Sequence, residues 1–173
     1  MNVAVFLGAQ TPANQSYIDQ VVDVAKVIGK KGHTLVFGGS GSGTMAVLAK
    51  AANEAGVRII GVVPEIFKDL VDKNNDVIEF VPNMGIRKER MAALGDVYVI
   101  LPGGFGTLEE MADVISWKRM GIVTPKTIVV NYEGFYNPTR DQINRMIKEG
   151  YIKKTVWEDI TFIDEAKELE NLI

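Results

Sequence analysis

The segment from Asp96 to Glu110 restricts the possible folds most strongly. It runs from the apolar stretch Val97–Leu101 through Pro102 and three glycines, and then enters Thr107-Leu-Glu-Glu110. A short apolar stretch of this kind is typical of a strand buried on both faces, and the glycines permit a tight connection to a helix. Thr107 and Glu110 have the spacing of an N-terminal capping box. The segment therefore predicts a strand, a glycine loop and a helix in direct succession.

The same order occurs twice earlier in the chain. Val3–Leu7 is followed by Gly8, and Thr34–Phe37 is followed by the run Gly38–Gly43. The remaining pattern predicts strands at 57–63, 77–81, 127–131 and 160–163, and helices at 18–28 (capped from 16–19), 44–55, 84–94, 107–120, 138–148 and 164–172 (capped by Asp164). Alternating strands and helices predict a three-layer α/β fold. We expect a Rossmann-like, doubly wound parallel sheet with helices on both faces, formed by residues 1–173 as a single domain.

Composition excludes several classes of function. The net charge of −3 argues against a general partner of nucleic acid or of a membrane surface, both of which require a basic field. The chain contains no cysteine, so it has no disulfide, no thiolate metal site and no cysteine nucleophile, which suits a cytoplasmic protein. Met1–Leu7 lacks a basic leader and is expected to be the first strand rather than a signal peptide. No apolar run approaches the ~20 residues that cross a bilayer.

Two glycine-rich loops are candidates for anion binding. Because the carboxyl ends of parallel strands meet at one edge of the sheet, both loops are expected at that edge. The N–H groups of Gly103, Gly104 and Gly106 would face the same point as the helix that begins at Thr107. The run Gly38–Gly43 either contributes further N–H groups or is a flexible turn. Its spacing matches neither the dinucleotide fingerprint nor the P-loop.

Charged residues beside these loops have two interpretations each. Arg87 and Arg90 lie on adjacent positions of one predicted helix, where they form either a solvated face or an anion contact. Glu110 either caps its helix or lines a pocket. The single histidine, His33, is expected to be structural or at the surface. No carboxylate or histidine cluster has metal-ligand spacing, so no metal site is predicted.

Two paired motifs resemble the LOG (lonely guy) family. Pro102–Glu110 resembles the family signature P-G-G-x-G-T-x-x-E, and Met84 with Arg87-Lys88 resembles M-x-x-R-K. Gly38–Met45 is similar to the family's glycine turn, and the similarity continues in order from about residue 3 to 172. Further similar segments are Ser116-Trp117 and Gly134–Pro138. Three segments depart from the family pattern, namely Gly85-Ile86 in place of His-Glu, Leu7–Gln10 in place of Cys-Gly-Ser-Ser, and Val123 in place of His.

The resemblance implies a phosphoribohydrolase, in a family often labelled lysine decarboxylase. Such an enzyme hydrolyses the N-glycosidic bond of a nucleoside 5′-monophosphate, here AMP or an N6-modified AMP, to a free base and ribose 5-phosphate, without a cofactor. The implied catalytic residues are Arg87, which would also keep Glu110 ionised, and Glu110. The implied phosphate and ribose contacts are Gly103, Gly104, Gly106, Thr107, Lys88 and Met84, and the pocket wall would include Gly8, Gly39, Ser40 and Gly43.

Other functions remain open. A nucleotide- or cofactor-binding protein without turnover is possible on the same fold. A pyridoxal phosphate decarboxylase needs a lysine that the motifs do not place, and a nicotinamide oxidoreductase lacks its fingerprint. The resemblance also implies a homodimer, for which Met111, Ile115 and Met120 are candidate contacts. Neither nucleic acid nor a membrane is an expected partner.

Overall fold

A computed structural model describes residues 1–173 as one seven-stranded sheet flanked by helices. The strands are β1 Asn2–Phe6, β2 Thr34–Phe37, β3 Arg58–Pro64, β4 Val77–Val81, β5 Val97–Ile100, β6 Lys126–Val130 and β7 Ile160–Ile163. The α-helices are α1 Gln15–Lys30, α2 Gly43–Glu54, α3 Met84–Leu94, α4 Phe105–Arg119 and α5 Asn137–Lys148. Short 3-10 turns occupy Glu65–Leu70, Tyr132–Gly134, Lys154–Glu158 and Ala166–Asn171.

The strand order is β4-β3-β2-β1-β5-β6-β7, and every neighbouring pair is parallel. The chain builds outward from β1 to β4, returns to the centre, and then builds outward again from β5 to β7. This order confirms the predicted doubly wound α/β fold. The change of direction lies between β1 and β5, where the loops after these two strands diverge and leave a crevice.

Two apolar cores lie on opposite faces of the sheet. One packs α1, α2 and the C-terminal 3-10 turn against alternate residues of the strands, such as Val3, Val5 and Leu35. The other packs α3, α4 and α5 against the intervening residues, such as Ala4, Phe6 and Val36. Side chains of adjacent strand residues point to opposite faces, so the continuous apolar runs of the sequence serve both cores.

Two helix starts away from the cavity differ from the prediction, for local reasons. Helix α1 begins at Gln15 because the side chain of Asn14 accepts a hydrogen bond from the Ser16 N–H. The predicted closing helix at 164–172 is a 3-10 turn capped by Glu165 rather than by Asp164. There the Glu168 carboxylate accepts from both backbone N–H groups that precede the turn, and this reciprocal cap fixes its start.

A buried tyrosine holds the end of β5 at the crevice. The Tyr136 hydroxyl donates to the Leu101 carbonyl at 2.7 Å, and the Tyr136 N–H donates to the Asn131 side chain. Burial raises the pKa of Tyr136 well above its ordinary value, so the hydroxyl keeps its proton and donates. The glycine loop after β5 therefore starts from a fixed carbonyl. None of the helices combines the length and hydropathy that crossing a membrane would require.

Candidate functional site

A cavity of about 690 Å³ opens at the carboxyl edge of the sheet, over the crevice between β1 and β5. Its walls come from the loops that follow β1, β2, β3 and β5, together with the first residues of α3 and α4. The predicted residues that line it are Gly8, Ser40, Met84, Arg87, Gly103, Gly104, Gly106, Thr107 and Glu110. The topology thus brings together most of the residues that the motifs had singled out separately.

The glycine loop after β5 closes tightly on the loop after β1. A Cβ atom at Gly103 would lie 2.2 Å from the Thr107 hydroxyl and 2.9 Å from the Gly8 nitrogen, so only glycine fits there. Gly104 and Gly106 have open space where a side chain would project. The start of α4 is therefore accessible to a ligand, and its free N–H groups carry about half a positive charge.

The predicted capping box at Thr107 and Glu110 was wrong. Helix α4 begins at Phe105 with Gly104 as its N-cap, so Thr107 lies inside the first turn and is buried. Glu110 does not return to the helix backbone, because its carboxylate accepts a hydrogen bond from Arg87. Hydrogen bonds between a guanidinium and a carboxylate are among the strong, charge-assisted ones.

Arg87 and Glu110 form a buried ion pair inside the cavity. The Arg87 Nη1 atom lies 2.7 Å from Glu110 Oε1, and the side chains are 9% and 8% exposed. Arg87 Nε also donates to the Val62 carbonyl at the end of β3. A Cβ atom at Gly38 would lie 1.9 Å from Arg87 Nη2, so this glycine provides the space in which the guanidinium lies. The pair therefore joins α3, α4 and two strand ends.

Burial and neighbouring charges have opposing effects on the pKa of Glu110. Burial raises the pKa of Glu110 above its ordinary value, and the charge and hydrogen bond of Arg87 act in the opposite direction. The charge of Lys88 also lowers this pKa, and the charge of Glu109 raises it. Burial has the larger effect, so the expectation that Arg87 alone keeps Glu110 ionised is incomplete. A carboxylate with a raised pKa in a cleft is typical of a functional group.

Three predicted site residues do not line the cavity. The Lys88 ammonium lies 2.7 Å from a Glu109 oxygen and 2.6 Å from an Asp113 oxygen on α4, away from the glycine loop. Gly39 and Gly43 occupy the turn behind the wall with positive φ angles of 69° and 54°, where they shape the loop without facing the ligand space. Glycine adopts positive φ angles without steric cost, so it suits both positions of this turn.

One wall of the cavity was not predicted from the sequence. The 3-10 turn Glu65–Leu70 places Phe67 and Leu70 beside the opening. It is fastened to the glycine turn after β2, since Gly41 N–H donates to the Leu70 carbonyl and Asp72 N–H to the Gly39 carbonyl. Apolar residues in an irregular segment have no periodicity, and only these contacts reveal their role.

Aromatic residues form another part of the cavity wall, which the motifs also did not indicate. Tyr17 from α1 and Phe135 from the segment before α5 pack edge to face, with ring centroids 5.9 Å apart, and both line the cavity. No group of three or more histidines and carboxylates lies close enough together to hold a metal ion. The site thus combines an apolar interior with one buried ion pair and the N-terminus of α4.

These features are those of a doubly wound α/β protein with a ligand cavity between β1 and β5, where the strand order reverses. A family model described as possible lysine decarboxylase matches residues 45–173. The cytokinin riboside 5′-monophosphate phosphoribohydrolase LOG3 of Arabidopsis thaliana is 33% identical over 169 residues, covering 96% of this chain and 79% of that protein. The corresponding LOG protein of Oryza sativa subsp. japonica is 32% identical, with coverages of 96% and 70%. The chain therefore belongs to the LOG family.

Solved structures with low sequence identity have the same fold. The molybdenum cofactor carrier protein of Chlamydomonas reinhardtii superposes with a TM-score of 0.75 at 18% identity, covering 99% of this chain and 94% of that one. The molybdenum cofactor binding protein of Rippkaea orientalis gives a TM-score of 0.74 at 18% identity, with coverages of 99% and 93%. At this identity the likeness concerns the fold alone.

The buried ion pair gives a prediction about stability. Arg87→Ala leaves the Glu110 carboxylate buried without a partner, so we expect the free energy of unfolding to fall by ~3–5 kcal/mol. The double variant Arg87→Met/Glu110→Leu removes both charges and should recover most of this loss. Urea unfolding followed by circular dichroism measures both. A loss below ~1 kcal/mol for Arg87→Ala would contradict the assignment of a buried, mutually dependent pair.

Proposed function

We propose that the protein hydrolyses the N-glycosidic bond of a nucleoside 5′-monophosphate to a free base and ribose 5-phosphate. The observation that carries the proposal is the Arg87–Glu110 pair, which lies in the cavity beside the open N-terminus of α4. The names of the Arabidopsis and rice relatives describe the same reaction class. The proposal extends that chemistry to this chain.

The phosphate is best accommodated at the glycine loop. The free N–H groups of α4 and of residues 103–106 favour an anion there, and Thr107 lies in the same turn. Arg87 already has a carboxylate partner, so the backbone rather than a free guanidinium provides most of the phosphate contacts. Placing the phosphate at this end directs the ribose towards Glu110.

The reaction requires a group that stabilises positive charge on the sugar. When the N-glycosidic bond breaks, its electron pair leaves with the base, and C1′ of the ribose becomes oxocarbenium-like. The Glu110 carboxylate, if ionised, stabilises that charge or orients the attacking water. Water then adds to C1′, and the proton that it loses neutralises the departing base. Arg87 holds the carboxylate in place through the bond at 2.7 Å.

The base is expected in the apolar part of the cavity. The apolar and aromatic residues that line the cavity include Met84, Phe67, Leu70, Tyr17 and Phe135. Such surfaces accept a flat purine and an apolar substituent on it. The volume of about 690 Å³ is compatible with AMP or with an N6-modified AMP. We propose an adenine nucleotide of this kind as the substrate.

Two alternatives have different requirements. A carrier that binds a nucleotide or cofactor without turnover needs the cavity but has no use for a buried carboxylate of raised pKa. A lysine decarboxylase would need a lysine within reach of pyridoxal phosphate, and no lysine lines the cavity. The ion pair therefore favours the hydrolase over both.

A panel of nucleoside 5′-monophosphates tests the proposal. We expect release of free base and ribose 5-phosphate in equal amounts, with the highest kcat/KM for an adenine nucleotide. Glu110→Gln should lower kcat by ~10²–10⁴-fold because it removes the charge and keeps the shape. Glu54→Gln, at an exposed position on α2, is the control. Tight nucleotide binding without base release over hours would instead identify a carrier.

The pH dependence of kcat follows from the environment of Glu110. Only the ionised carboxylate stabilises the sugar cation, so the rate should fall as the pH drops through the Glu110 pKa. Because burial raises that pKa, the fall should occur above pH 4.5, the ordinary value for the side chain. Measurements of kcat at saturating substrate locate this acid limb. It should be absent from the residual activity of Glu110→Gln, and an identical limb in that variant would assign the titration to another group.

We also propose that the chain forms a homodimer. Phe105 at the start of α4 is 92% exposed, and Met120 and Ile122 at its end are 61% and 64% exposed. Met120 and Ile122 lie close together in the chain, and a contiguous exposed apolar patch is typical of an interaction surface. Met111, one of the expected contacts, is fully buried in the protomer and cannot contribute.

Light scattering at micromolar concentration should give twice the mass of one chain. Met120→Glu combined with Ile122→Glu should shift the protein towards the monomer, because two charges would be desolvated in the interface. Tyr151→Glu is the control, because Tyr151 is exposed and lies after α5. A monomeric wild-type protein would contradict the proposal.

A further inference from the structure

Lys88 has a position that neither the signature motif nor the proposed reaction explains. It follows Arg87 directly on α3, but the two side chains diverge, as consecutive residues of a helix do. Arg87 enters the cavity, whereas the Lys88 ammonium lies between Glu109 and Asp113. The Lys88 side chain is 13% exposed and does not line the cavity. Direct contact with a phosphate in that cavity does not fit this placement.

Helices α3 and α4 contact each other through side chains of opposite charge. Glu109 and Asp113 lie four residues apart on one face of α4, and Glu110 lies on the adjacent face. Consecutive cations on α3 therefore meet two adjacent faces of α4. The ion pairs of Arg87 and Lys88 thus connect α3 with both of these faces.

Helix α4 has few other restraints near the cavity. Its buried residues are Thr107, Glu110, Met111 and Val114, which form a narrow stripe, and its N-cap Gly104 provides no side-chain cap. Phe105 and Leu108 are exposed. A small rotation would move both the Glu110 carboxylate and the N–H groups that face the ligand.

The charges on Lys88 and its partners are maintained in this environment. Burial disfavours the ammonium, but the hydrogen bonds and charges of Asp113 and Glu109 outweigh it and raise the pKa of Lys88. Lys88 thus stays charged over the working pH range. The charged or titratable groups that face Glu110 are Arg87 and Lys88 from α3, Glu109 from α4, and Tyr136 from the segment before α5.

We infer that Lys88 is a positioning residue, which fixes the rotation of α4 through Glu109 and Asp113 so that Glu110 meets Arg87 and the helix N-terminus faces the ligand. The inference rests on the proposed function for its effect on turnover. The geometric claim itself concerns only the contact between α3 and α4. Lys88 therefore acts on the reaction through Glu110 and does not bind the phosphate.

Kinetics of Lys88→Met separate positioning from phosphate binding. We expect kcat for AMP to fall ~10–100-fold, the loss that a displacement of about 1 Å produces, with KM changed by less than ~3-fold. Inhibition by ribose 5-phosphate should be unchanged. The acid limb of kcat should move to higher pH, because a positive charge near Glu110 is lost. Lys88→Arg should restore much of kcat.

Asp113→Asn is the matched variant, since it weakens the same contact and leaves Lys88 in place. Its kcat should also fall, but its acid limb should not move upward as that of Lys88→Met does. In the double variant, the losses of kcat and of melting temperature should be smaller than the sums of the single losses. Additive melting losses would show that the two side chains do not interact, and would overturn the inference.

The outcome distinguishes this inference from the proposed function. If Lys88→Met raises KM and weakens ribose 5-phosphate inhibition at least ~10-fold with kcat unchanged, Lys88 binds phosphate and the positioning role is wrong. If the wild-type protein binds AMP without hydrolysing it, the proposed function fails. In that case the melting-temperature cycle and calorimetry of AMP binding to Lys88→Met still decide whether Lys88 restrains α4 or contacts the nucleotide.

Discussion

The ion pair between Arg87 and Glu110 is the interaction on which the candidate site depends. It connects α3 with α4, and through the Val62 carbonyl it connects both with the end of β3. Burying two charges is costly, and the pair compensates for that cost only while its geometry is kept. Nearby features preserve that geometry, including the space at Gly38 and the fixed carbonyl at Leu101. Stability and chemistry are therefore coupled at this point.

The sheet topology explains why the two partners meet at all. Arg87 precedes β5 in the chain and Glu110 follows it, so a single strand separates them. Because β5 enters the sheet beside β1, its loop opens at the crevice, and both helices lie on the same face. A strand added at the outer edge would not have created this crevice. The site is thus a consequence of the reversal in strand order.

Much of this arrangement could be predicted from the sequence. The apolar runs that end in glycine predict the parallel sheet. The two signature motifs predict that Arg87, Glu110 and the glycine loop belong to the site. The failures have physical causes. Thr107 and Glu110 matched a capping box in spacing, but the buried guanidinium competed for the carboxylate. Lys88 was grouped with Arg87 by its motif, although helical geometry separates their directions. Phe67 and Leu70 lie in an irregular segment without periodicity, so only tertiary contacts reveal them.

The departures from the family pattern differ in their access to the cavity. Gly85, Ile86 and Val123 do not line it, so these changes leave the ligand space of this protomer unaltered. Leu7, Ala9 and Gln10 do line it, at the loop after β1. That loop closely approaches the glycine loop after β5, where Gly8 lies against Gly103. Variation there changes the lining of the cavity while the glycine loop after β5 keeps its shape. The loop after β1, rather than the second signature, is therefore where the cavity lining of one protomer departs from the family pattern.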